Sequence, residues 1–124
     1  MANEPVSVGV DVSKSTLDVA VSNCTEVRRF ANDEAGIRPA VDYIAALKPD
    51  SIIIESTGGL EMTLVAVLQS ACLPVVIINP RQVRDFARAT DALTKTDASD
   101  AGILALFGLR IRPEMRLLPD QAGP

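Results

Sequence analysis

Residues 6–22 read VSVGVDVSKSTLDVAVS, two alternating stretches joined by a short polar turn. In the first stretch every second residue is a valine, and the residues between them are Ser7, Gly9 and Asp11. This alternation is typical of a β-strand with one packed face and one face of small or acidic side chains. Lys14 lies among the turn residues, and TLDVAVS predicts a returning strand, so the two stretches are expected to form a hairpin.

The segments that follow predict a mixed sheet flanked by helices. Residues 26–32 are a candidate edge strand, and residues 33–47 have apolar side chains at helical spacing before Pro49. SIIIES at 51–56 predicts a central strand, 57–72 a helix, and LPVVIINP at 73–80 a further buried strand. A basic helix over 81–90, a loop around Asp91 and a helix over about 97–109 follow. This order fits an α/β fold of the ribonuclease H-like class.

Composition excludes several kinds of site. The 124 residues are enough for one domain and include no histidine, which removes Ser-His-Asp triads, histidine bases and histidine metal ligands. Cys24 and Cys72 lack metal or redox spacing, so we expect two buried thiols in a reducing cytoplasm. The sequence has neither an apolar run near the ~20 residues of a membrane span nor an initial basic region before a hydrophobic stretch. We therefore expect a cytoplasmic protein without a membrane partner.

Four carboxylates stand out from their surroundings. Asp11 interrupts a run of valines, and Glu55 ends the most apolar strand, where α/β sheets place their sites. Asp97 and Asp100, in TKTDASDA, lie one turn apart at the start of the last helix. A structural role is open for each: Asp11 and Glu55 would face solvent, whereas Asp97 and Asp100 would cap the helix.

The predicted fold allows these acids to converge. Carboxylates about 5 Å apart repel by about 3 kcal/mol per pair at an effective dielectric constant near 20, so a group of four needs protons or cations between them. Oxygen ligands favour Mg²⁺ or Mn²⁺, and two such ions are suited to phosphodiester chemistry.

Basic residues suggest contact with nucleic acid despite the net charge of −4. Arg81, Arg84 and Arg88 recur at helical spacing, which suits a phosphate backbone, although Asp85 interrupts them and a solvated face is equally consistent. Lys14 and Lys95 lie near candidate acids. The STGG segment at 56–59 either offers amides to an anion or eases a strand-to-helix bend.

The segments GVDVSKSTLDVAV, IIIESTGG, NPRQVRDFARA and KTDASDAGILA together resemble the amino-terminal domain of the DEDD transposases of the insertion-sequence-110 type, which include the Piv-type DNA invertases. The resemblance covers nearly the whole chain. It implies a RuvC-like domain that binds divalent metal through the acids Asp11, Glu55, Asp97 and Asp100.

The same resemblance implies partners. Family members act on DNA under the direction of a structured guide RNA, the bridge RNA, and work as oligomers with a second, serine-bearing domain. We therefore expect a RuvC-like domain over 1–110 and a linker over 111–124 towards that second domain. Two other classes stay open: a nucleic-acid-binding or oligomerisation module with structural acids, and an ATP-binding module of the actin, Hsp70 and sugar-kinase type.

Overall fold

A computed structural model describes residues 5–24, 26–89 and 100–110 of the chain. Its strands are β1 (Ser7–Val12), β2 (Thr16–Val21), β3 (Val27–Ala31), β4 (Ser51–Glu55) and β5 (Val75–Ile78). Its helices are α1 (Glu34–Ala46), α2 (Met62–Ser70), α3 (Pro80–Ala89) and α4, whose described part covers residues 100–110. Across these ranges, no helix combines the length and the apolar character that crossing a membrane requires.

The strands form one mixed sheet in the order β3-β2-β1-β4-β5. The β1–β2 and β2–β3 pairs are antiparallel, as the hairpin and the edge strand in the sequence predicted. The β1–β4 and β4–β5 pairs are parallel, so the chain crosses over through helices after β3 and β4. This order and these directions confirm the predicted α/β fold of the ribonuclease H-like class.

Different helices cover the two faces of the sheet. The valine face of β1, with Val8 and Val10 fully buried, packs with α1 and α2 in the larger apolar cluster. On the other face, Ile53 of β4 packs with Leu104 and Phe107 of α4 in a smaller cluster, to which α3 contributes partly buried side chains. The alternation along β1 therefore selects which pair of helices each face receives.

Helix α4 packs closely on the sheet because small residues meet at the contact. A Cβ atom added at Gly9 would overlap the carbonyl oxygen of Ala101 and lie 2.5 Å from the amide nitrogen of Ala105. A Cβ at Gly108 would overlap the Ser7 hydroxyl and lie 2.8 Å from Ile53 Cγ1. Helix α4 therefore packs against the face of β1 that carries the small residues Ser7 and Gly9.

One sequence-based boundary and one predicted burial are wrong. Helix α2 begins at Met62, later than the predicted residue 57, because Gly58 and Gly59 have φ angles of 85° and 125°, outside the helical region. Strand β5 is only partly buried, with Ile77 44% exposed, because it lies at an edge of the described sheet.

Both cysteines are exposed, so the prediction of two buried thiols is also wrong. Cys24 lies just beyond the turn that follows β2. Cys72 lies in the turn after α2 with φ 61°, where the chain leaves the helix. Both thiols therefore lie on connections and not on the packed faces of elements.

Candidate acidic site

Asp11 and Glu55 lie side by side at the carboxyl ends of β1 and β4. The parallel register pairs Ser7 with Ser51 and Val10 with Ile54. One further step along both strands places Asp11 beside Glu55, about 4.8 Å away at the usual strand spacing. Both side chains are half-buried, and they share the face of the sheet that α4 covers.

The direction of α4 brings Asp100 to the same end of the sheet. Ala101 lies over Gly9, and Gly108 lies over Ser7, so α4 runs antiparallel to β1. Its first described residue, Asp100, therefore lies towards the end of β1 that carries Asp11. We refer to Asp11, Glu55 and Asp100 as the acidic edge. The name means the end of the sheet where the inner strands β1 and β4 have their carboxyl ends, and not an edge strand.

The acids of this edge influence one another electrostatically. Burial raises the pKa of Asp11 above its ordinary value, and the carboxylates of Asp100 and Asp18 raise it further. Burial likewise raises the pKa of Glu55, with added repulsion from Asp11 and Asp100, whereas the Arg84 guanidinium opposes this rise. The edge therefore favours binding of protons or of a cation.

The described acids do not by themselves form a complete metal site. Within residues 5–24, 26–89 and 100–110, no three metal-ligating side chains are grouped closely enough to hold one ion. Asp97, the fourth predicted acid, and Lys95 lie outside the described residues. The acids of the edge are thus close enough to repel but are not arranged as a three-ligand group.

The predicted basic residues lie at different positions around this edge. Lys14 is exposed at the tip of the β1–β2 turn, which the Ser13 amide closes by donating to the Thr16 carbonyl at 2.9 Å. The side chains of Arg81, Arg84 and Arg88 are exposed on α3. Of these three, Arg84 acts on the acidic edge through its effect on Glu55.

The STGG loop after β4 folds around a carboxylate that sequence reasoning missed. Glu61 is buried, and its Oε1 accepts hydrogen bonds from the Thr57 hydroxyl at 2.6 Å, the Thr57 amide at 3.1 Å and the Gly59 amide at 3.3 Å. These bonds, above all that from the Thr57 hydroxyl, lower the pKa of Glu61. Two of the loop amides are therefore engaged, which favours the strand-to-helix bend over anion binding.

Asp18 is a second missed acid. It pairs directly with Asp11 across the hairpin, and Arg29 of β3 binds it through Nε at 2.7 Å and Nη2 at 3.1 Å. The sequence held a signal for it, because a tight turn centred on residues 14 and 15 places residues 11 and 18 opposite each other.

Fold and site together define an α/β domain of the ribonuclease H-like class with carboxylates gathered at one edge of its sheet. Within that class the chain belongs to the DEDD transposases of the insertion-sequence-110 type: the family model, described as a transposase, matches residues 8–122. The chain is thus a member of an enzyme family, as the resemblance predicted.

Two similar proteins are the pilin gene-inverting proteins of Moraxella lacunata and Moraxella bovis. Each is 30% identical over 118 residues, a match that covers 87% of this chain and 35% of the relative. The chain therefore spans about a third of the length of these relatives.

Two solved structures are also similar. Thermus thermophilus RuvC has a TM-score of 0.49 and 17% identity, over 82% of this chain and 90% of the other. The fowlpox virus Holliday junction resolvase has a TM-score of 0.49 and 15% identity, over 90% of this chain and 99% of the other.

Proposed function

We propose that this chain is the metal-binding catalytic domain of a DNA transposase, with Asp11, Glu55, Asp97 and Asp100 as its catalytic acids. The observation that carries the proposal is the convergence of Asp11, Glu55 and Asp100 at one edge of the sheet, where β1, β4 and the first described residue of α4 each contribute one carboxylate. Membership of the transposase family supports the same reading.

The donor chemistry of the acidic edge fits a divalent cation. Its available donors are carboxylate oxygens, and a bound cation would offset both the burial and the mutual repulsion that raise the pKa values of Asp11 and Glu55. We propose Mg²⁺ or Mn²⁺, with Asp97 completing the ligand set. Ions of this kind polarise a phosphodiester and stabilise the attacking and leaving oxygens.

Residues of the chain would hold the ions and orient the phosphate. Asp11 pairs with Asp18 of β2 and Glu55 with Ile78 of β5, so their backbone positions are fixed before any ligand arrives. Arg84 lies near Glu55 and would bind a phosphate beside the acids. Lys14, Arg81, Arg88 and Lys95 would extend this contact along the DNA backbone.

Further partners follow from the family and stay predictions for this chain. We propose a structured guide RNA, the bridge RNA, and assembly into an oligomer in the cytoplasm. In this proposal the catalytic domain covers 1–110, and residues 111–124 lead to a second domain.

Thermal unfolding against Mg²⁺ or Mn²⁺ tests the metal site. An ion at about 100 times its dissociation constant adds about 2.7 kcal/mol to the free energy of unfolding, or roughly 10 °C for a domain of this size. Asp11→Asn should remove most of this response, whereas Asp42→Asn, on the exposed surface of α1, should keep it.

Two results would contradict the metal site. If the ions stabilise the wild type and both variants equally, binding occurs elsewhere. In the second result, metal has no effect on the wild type, whereas the Asp11→Asn substitution by itself makes the protein more stable. The acids would then be crowded without binding metal in this chain, which favours the interpretation with structural acids.

A further inference from the structure

Three charged side chains form a row across one face of the sheet, from the acidic edge to the edge strand β3. Asp11 pairs with Asp18, and Asp18 pairs with Arg29 on the edge strand β3. Residues opposite one another in a sheet point to the same face, so all three lie on the face that α4 contacts at β1 and β4. Beyond those strands no described residue covers this face: Val27 and Arg29 are exposed, and Asp18 is half-exposed.

The Asp18–Arg29 pair fixes the guanidinium in one orientation. Two parallel bonds join Nε and Nη2 of Arg29 to the two oxygens of Asp18, while the Arg29 side chain stays 68% exposed. An exposed ion pair contributes little to stability, so folding gives little reason for it. A bidentate bond instead pre-orders a long side chain, and these two bonds leave Nη1 for another acceptor.

We propose that Arg29 binds a backbone phosphate of the nucleic-acid strand that reaches the acidic edge, with Asp18 orienting its guanidinium. The inference rests on the proposed function. Two strand spacings, about 10 Å, separate the backbones of Asp11 and Arg29. That distance corresponds to about three nucleotides at 3.4 Å of rise per strand. Arg84 lies beside Glu55, so the acids lie between Arg84 and Arg29. Each arginine would contact the nucleic-acid strand on one side of the acids.

The neighbouring residue supplies a matched control. Arg28 has the same charge as Arg29 and is also exposed, but alternation directs it to the opposite face of the sheet. Its guanidinium lies 4.7 Å from the ring centre of Tyr43 of α1. Arg28→Ala and Arg29→Ala therefore change the net charge equally on opposite faces.

The experiment measures binding of a fluorescently labelled single-stranded DNA of mixed sequence to the chain between about 50 and 200 mM salt. Removing one phosphate contact should lower the magnitude of the slope of log K against log salt by about 0.7 and weaken binding about five-fold at 0.1 M. We expect this for Arg29→Ala and not for Arg28→Ala. Thermal unfolding of each variant verifies that it is folded.

The outcomes separate this inference from the proposed function. If Arg84→Ala weakens binding while Arg29→Ala and Arg28→Ala behave alike, the role of Arg29 is overturned and the DNA-binding edge stands. If the folded wild type does not bind DNA at all, both are overturned for this chain. If Arg29→Lys restores the salt slope that Arg29→Ala lost but not the full affinity, the charge contact stands and the oriented guanidinium supplies the rest; if it restores both, the orienting role of Asp18 is overturned.

Discussion

Replacing Gly9 by alanine tests the contact between β1 and α4, the helix that carries Asp100 of the acidic edge. The added methyl group would overlap the Ala101 carbonyl oxygen and lie 2.5 Å from the Ala105 amide nitrogen and 2.8 Å from Leu104 Cβ. Two of these three neighbours are backbone atoms of α4, which a rotamer change cannot move. The helix must therefore shift away from the sheet.

The expected cost follows from two opposing effects. Overpacking a buried contact costs about 1–3 kcal/mol, and contact with backbone favours the upper end. Glycine in a strand is itself about 0.5–1 kcal/mol less favourable than alanine, which offsets part of this cost. We expect Gly9→Ala to lower the free energy of unfolding by about 2 kcal/mol, or the midpoint by roughly 6–10 °C.

Urea and thermal unfolding measure this loss, and Ser7→Ala on the same face of the same strand is the control because it adds no volume. Since α4 also carries Asp100, the Gly9 variant should lose part of any stabilisation by Mg²⁺ or Mn²⁺. A Gly9→Ala protein within about 0.5 kcal/mol of the wild type, with an unchanged metal response, would refute the proposed seat of α4.

Three further changes have directions that the structure fixes. Ser51→Ala should be neutral or stabilising by up to about 1 kcal/mol in urea unfolding, because the buried Ser51 hydroxyl has no hydrogen-bond partner among the described residues; a loss above 1 kcal/mol would reveal a bond. Glu61→Ala should cost about 2–4 kcal/mol by leaving the Thr57 hydroxyl and loop amides without their acceptor, whereas Glu61→Gln keeps an oxygen and should cost less; equal losses would contradict this role. Asp11→Asn should be more stable than the wild type near pH 7 in metal-free buffer. The raised pKa of Asp11 means that its favourable contribution is complete below the ordinary value of 3.8 and is lost as pH rises through the folded-state pKa, so this advantage should vanish in acid; an advantage that is constant with pH would exclude titration as its source.

Local pattern was sufficient for the sheet and for most of its carboxylates. Alternation along β1 predicted both a strand and its two faces, and the apolar run before Glu55 predicted a buried strand. Both predictions are possible because the periodicity and the apolar character can be recognised within a short stretch of sequence. The helical spacing before Pro49 likewise predicted α1, which Asp33 caps through the Gly36 amide at 2.8 Å.

The sequence by itself determined the class of fold, the strand positions of Asp11 and Glu55 and the family, because these depend on periodicity and on motifs within short windows. Only the tertiary structure decided that the small face of β1 is filled by α4 and that Arg29 reaches the row of Asp11 through Asp18. Each of these depends on strand register or on helix direction. Those features bring together residues far apart in the chain, and no local pattern records the pairing.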